Sequence, residues 1–66
     1  MEFSVMQARK YAGLTQAETA EKMGVCRDTY RRIEKNPEKA TIEQAYRFSE
    51  VVGLALDQIF FRKTST

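Results

Sequence analysis

Residues 15–35 read TQAETAEKMGVCRDTYRRIEK. Thr15 followed three residues later by Glu18 is a capping box. The hydroxyl accepts from a backbone N–H of the first turn, and the carboxylate reaches back to the N–H of Thr15. A helix is expected from there to Met23. Gly24 ends it, because a residue without Cβ reaches positive φ at no steric cost. A turn of about three or four residues then fits before a second helix, which starts near Cys26 or Arg27 and runs to about Lys35. Asn36 is expected to stop it in a left-handed conformation, and Pro37 forbids its continuation. Ala20 is small where the second helix must cross closely, and Val25, Tyr30 and Ile33 can pack inward. The stretch therefore predicts helix, tight turn, helix.

The rest of the chain divides at Gly13, Asn36-Pro37 and Gly53. No block alternates polar and apolar residues with period two over a useful length, so helix is favoured throughout. A first helix is expected over about Phe3 to Ala12, with Val5, Ala8 and Ala12 on one face and Gly13 as its stop. A fourth opens on the capping box Thr41–Gln44, turns Ile42, Ala45, Phe48, Ser49 and Val52 inward, and closes at Gly53. A short apolar block, Leu56 to Phe61, follows. The expected organisation is one domain over residues 1–61 and a frayed tail over 62–66.

Sixty-six residues make one domain at most, with little surface to bury. With one cysteine there is no internal disulfide. With no histidine, a zinc site would lack its usual ligands. No metal, cofactor or small-molecule ligand is expected. No apolar run is long enough to span a bilayer, and the N-terminus lacks a basic-then-apolar leader pattern. A reduced, cytoplasmic protein without a membrane partner is the simplest expectation. An enzyme is not expected: Cys26 has no base partner, and Glu18 and Glu21 lie on an exposed helix. The net charge of +2 is unevenly placed. Residues 1–26 and 40–66 each balance, whereas residues 27–39 hold Arg27, Arg31, Arg32, Lys35 and Lys39 against Asp28, Glu34 and Glu38. Such a patch suits a polyanion met by one face, or else an ordinary solvated helix face.

The chain resembles the phage repressor and Cro family of helix-turn-helix DNA-binding proteins, the XRE family. The resemblance runs from about Val5 to Phe60. It rests on Ala8-Arg9, Gly13-Leu14-Thr15-Gln16, Ala17-Glu18, Ala20-Glu21-Lys22-Met23-Gly24-Val25, Arg31-Arg32-Ile33-Glu34, Thr41-Ile42-Glu43, Val52-Gly53-Leu54 and Leu56-Asp57-Gln58-Ile59-Phe60. It implies an all-α, five-helix, lambda-repressor-like domain whose third helix enters the major groove of double-stranded DNA. On matching positions, Arg27, Asp28 and Arg32 would contact bases: arginine grips guanine O6 and N7, and aspartate accepts from cytosine N4. Gln16, Thr29, Arg31, Lys35 and Lys39 would contact phosphates. Arg9 and Glu34 would pair as a structural element tying the first helix to the third.

Cys26 departs from the serine or threonine usual in the family, and is a weaker cap. At a helix start beside Arg27 it could have a lowered pKa and sense oxidants, or it could be a tolerated small residue. Thr19 replaces an aliphatic residue. Tyr30 replaces isoleucine or valine, with its ring in the core or its hydroxyl reaching the surface. The implied function is an autonomous transcriptional regulator, a repressor acting as a homodimer on half-sites about 34 Å apart. Val51, Leu54 and Phe61 are the expected dimer contacts. The alternative is an antitoxin-like or accessory module that binds DNA only with a second protein.

Overall fold

The computed structural model describes residues 3–60. In chain order the elements are strand β1 (Phe3–Ser4), helices α1 (Val5–Tyr11), α2 (Gln16–Met23) and α3 (Arg27–Lys35), a 3-10 turn (Pro37–Lys39), helix α4 (Ile42–Val52), a second 3-10 turn (Leu56–Gln58) and strand β2 (Ile59–Phe60). None of these helices is long and apolar enough to cross a membrane.

Three of the four helices open on capping boxes. Ser4 and Gln7 cap α1, Thr15 and Glu18 cap α2, and Thr41 and Gln44 cap α4, each with reciprocal bonds of 2.9–3.1 Å. The bond from the Thr15 N–H holds the Glu18 carboxyl below its ordinary value. Gly24 (φ 76°) and Gly53 (φ 74°) close α2 and α4 in the left-handed region, as their sequence positions predict.

The core is Val5 and Ala8 from α1, Ala20 and Met23 from α2, Tyr30 and Ile33 from α3, Phe48 and Val52 from α4, and Ile59 from β2. The Tyr30 and Phe48 rings stack with centroids 6.1 Å apart, which joins α3 to α4 through the centre. Thr19 is fully buried and keeps its hydroxyl satisfied by donating to the Thr15 carbonyl at 2.8 Å, so this departure costs no unpaired polar group. Arg47 of α4 donates to the Met23 carbonyl at 3.1 Å and satisfies an end of α2 just before the turn.

Four expectations change. The fifth helix is absent among the described residues. Leu56–Gln58 forms one 3-10 turn, and Ile59–Phe60 pairs in parallel with Phe3–Ser4, Phe3 opposite Ile59 and Ser4 opposite Phe60. A six-residue block is too short to hold a helix by itself, and the strand pairing satisfies its backbone instead. For the same reason α1 starts at Val5 rather than Phe3. Asn36 is not left-handed: at φ −133°, ψ 73° it takes the extended side of the map that Pro37 imposes on the residue before it. Its N–H still closes the helix on the Arg32 carbonyl at 2.7 Å. Ile42 does not face inward but is 77% exposed, because the first turn of α4 projects past the core that Ala45, Phe48, Ser49 and Val52 reach. Phe61, with the expected boundary between residues 1–61 and 62–66, lies outside the described residues.

Candidate nucleic-acid interface

Helix α3 presents two chemically different sides. Tyr30 and Ile33 point into the core, while Arg27, Asp28, Arg31, Arg32 and Lys35 are exposed. Asp28, Arg32 and Lys35, at i, i+4 and i+7, form one outward stripe. Lys39, last residue of the turn after α3, is exposed as well. None of the five cations Arg27, Arg31, Arg32, Lys35 and Lys39 makes an ion pair or side-chain hydrogen bond with another described residue; the ion pairs are Arg9–Glu34 and Arg47–Glu43.

Two grooves flank the stripe. One runs toward α1 and α2 and is lined by Met6, Gln16, Asp28, Arg31, Arg32 and Lys35, with Glu34 at its floor. The other runs toward α4 and is lined by Thr29, Arg32, Asn36, Lys39, Thr41 and Gln44, with Ile33 beneath. Arg32 borders both, so it sits on the crest of α3. Met6, Thr41 and Gln44 were not singled out in the sequence as members of this surface, since only folding brings their helices beside α3.

The inner end of α3 is held by the Glu34 carboxylate. Arg9 Nε donates to Glu34 Oε2 at 2.6 Å, and Tyr30 Oη donates to the same oxygen at 2.6 Å. Gln16 Nε2 donates to Oε1 at 2.9 Å. A second Arg9 nitrogen, Nη1, donates to the Leu14 carbonyl at 2.9 Å. Side chains from α1, α2 and α3 thus meet on one carboxylate, whose own side chain is 9% exposed against 12% for Arg9. Burial alone would raise the Glu34 pKa. The hydrogen bonds from Tyr30, Arg9 and Gln16 outweigh it, and the carboxyl is held below its ordinary value. The same bond raises Arg9, and burial beside this carboxylate pushes the Tyr30 phenol far up. The Tyr30 hydroxyl therefore turns to Glu34, not to the surface. Tyr30 and Glu34 stand four apart on one helix, a spacing that signals the contact in the sequence itself.

The start of α3 is the weak end. Cys26 occupies its N-cap, and its side chain caps no backbone N–H. Its exposed sulfur lies 3.0 Å from Thr29 Oγ1, and this contact with the Thr29 hydroxyl is the main influence that lowers the thiol pKa.

The arrangement is a short helix pair joined at a left-handed glycine, with the second helix uncovered and basic. A helix-turn-helix family model matches residues 5–59. The chain belongs to the XRE family of helix-turn-helix proteins. No curated protein and no solved structure matches it. As a member of the XRE family, it is a DNA-binding transcription regulator whose partner is double-stranded DNA.

Proposed function

We propose that this chain is a sequence-specific repressor that binds operator half-sites as a homodimer, with α3 in the major groove. What supports the reading is the uncovered outer side of α3 with the turn after it, where five cations have no ion-pair or side-chain hydrogen-bond partner among the described residues. Arg27, Asp28 and Arg32 read base edges: Arg32 from the crest, and Arg27 and Asp28 from the first turn. Arg31, Lys35, Lys39, Thr29 and Gln16 take phosphates on either side and fix the register.

A half-site reader of this size gains its affinity by pairing about a two-fold axis. Val51 and Leu54 are half-buried against their own core and offer a second copy limited apolar area. Ile42 and Tyr46, 77% and 57% exposed one turn apart on α4, offer more. That same pair supports the second reading, an antitoxin-like or accessory module whose α4 face is covered by another protein.

Selection from a random duplex library with the purified chain at moderate salt, followed by sequencing of what is retained, separates the two. A two-fold symmetric motif with half-sites about one helical turn apart establishes the homodimeric reader. Retention without a motif moves the partner-dependent reading to the front.

A further inference from the structure

We propose that Glu34 is a positioning residue for Gln16, aiming the Gln16 amide at the DNA backbone before DNA arrives; this rests on the DNA-binding function above. Glu34 Oε2 is occupied by Arg9 Nε and Tyr30 Oη, and Arg9 is itself anchored on the Leu14 carbonyl. The carboxylate cannot swing, so Oε1 is a fixed point. Gln16, first residue of α2, gives one amide proton to that point at 2.9 Å.

An amide is planar, so one bond fixes the direction of the remaining N–H. That second proton has no acceptor among the described residues. It belongs to a side chain lining the same groove as Arg31, Arg32 and Lys35. A bare carboxylate beside this groove would repel a phosphate. Arg9 balances its charge, so Glu34 orients the amide without weakening the positive face. The ordering of a flexible glutamine is thereby completed in the free protein rather than at the moment of binding.

The test is a double-mutant cycle on one duplex retained by the library selection, followed by fluorescence anisotropy at fixed salt. Gln16→Ala is expected to weaken wild-type binding about fivefold, and to weaken the Glu34→Asp variant less than about twofold, since the shorter carboxylate keeps its charge but withdraws from Gln16. Equal losses in both backgrounds overturn the proposal. A second measurement needs no variant at Glu34. In the free wild-type chain, one side-chain amide proton of Gln16 is expected downfield and slow to exchange. Gln44, which uses its Oε1 in a cap and whose amide protons have no acceptor among the described residues, supplies the reference. Matching behaviour of the two glutamines overturns the proposal. A wild-type chain that binds no duplex overturns the DNA-binding function along with it, an outcome distinct from equal losses, in which binding persists.

Discussion

The two sides of α3 treat charge in opposite ways. On the inner side one carboxylate, Glu34, collects donors from Arg9, Tyr30 and Gln16 and is nearly shut off from water. On the outer side four cations, with Lys39 just beyond the helix as a fifth, lie in solvent with no ion-pair or side-chain hydrogen-bond partner among the described residues. The difference separates a charge that holds the fold from charges kept for something outside it. A buried carboxylate must be fully hydrogen-bonded to be tolerated, and once bonded its removal is costly. A solvated arginine contributes little to stability, and its binding capacity is intact.

The largest expected effect follows from breaking the inner side. Glu34→Ala strands Arg9 and the Tyr30 hydroxyl in a nearly dry site. It should cost about 3 kcal/mol of stability, the low end for a buried pair losing one partner. That lowers the thermal midpoint by roughly 12–24 °C in a domain of this size. The pH dependence has a definite sign. The folded chain holds the Glu34 carboxyl below its ordinary value of 4.5, so the stability it contributes is present above that pH and is lost as pH falls through the folded value. Acid titration of thermal stability should show a shallower fall in Glu34→Ala than in the wild type.

Next comes the outer side. Arg32→Ala should leave the thermal midpoint within a few degrees of wild type, yet cost about 1–3 kcal/mol of binding, concentrated at one base pair of the selected motif. Competition between duplexes differing at single positions measures it. A stability loss comparable to that of Glu34→Ala would mean that the two sides are not divided in this way.

What was legible in the sequence tracks how local the cause is. The boxes at Thr15 and Thr41 and the left-handed stops at Gly24 and Gly53 are fixed by residues within one turn, and they appear as expected. The Ser4–Gln7 box has the same spacing and was equally readable, but an apolar pattern beginning at Phe3 hid it. Asn36 misleads because its own tolerance of positive φ competes with the constraint from Pro37, and the ring wins. The β1–β2 pair joins the two ends of the chain, and nothing in either local sequence announces the other. The same holds for the site. The Arg9–Glu34 contact was implied by family likeness and the Tyr30–Glu34 bond is legible in a four-residue spacing on one helix, whereas the bond of Gln16 to that carboxylate required α2 and α3 to be assembled first.

A smaller effect is expected at the start of α3, where the comparison is with its sister helices. Those three have capping side chains, and α3 has a thiol that bonds no backbone N–H. Cys26→Ser supplies a hydroxyl suited to accept from the first turn, and should add about 0.5–1 kcal/mol. Differential scanning calorimetry should show the midpoint rise by roughly 2–8 °C. A fall would mean that the sulfur contact with Thr29 stabilises the helix start more than a proper cap would.

The smallest effect sharpens the outer side itself. Lys39 is exposed and, like Arg32, has no ion-pair partner among the described residues; both line the groove toward α4, but Lys39 follows the helix in the turn Pro37–Lys39 while Arg32 stands on the crest. A cation beside the reading helix meets the sugar–phosphate edge, which carries the same charge whatever the sequence. Lys39→Ala should therefore weaken selected and scrambled duplexes by the same factor. It should also reduce the slope of log K against log salt by about 0.9, the counterions released by one phosphate contact. Arg32→Ala should change the preference among duplexes instead. If Lys39→Ala shifted the preferred base at any position, the turn after α3 would have to reach into the groove, and the reading surface would extend beyond the helix toward Thr41 and Gln44.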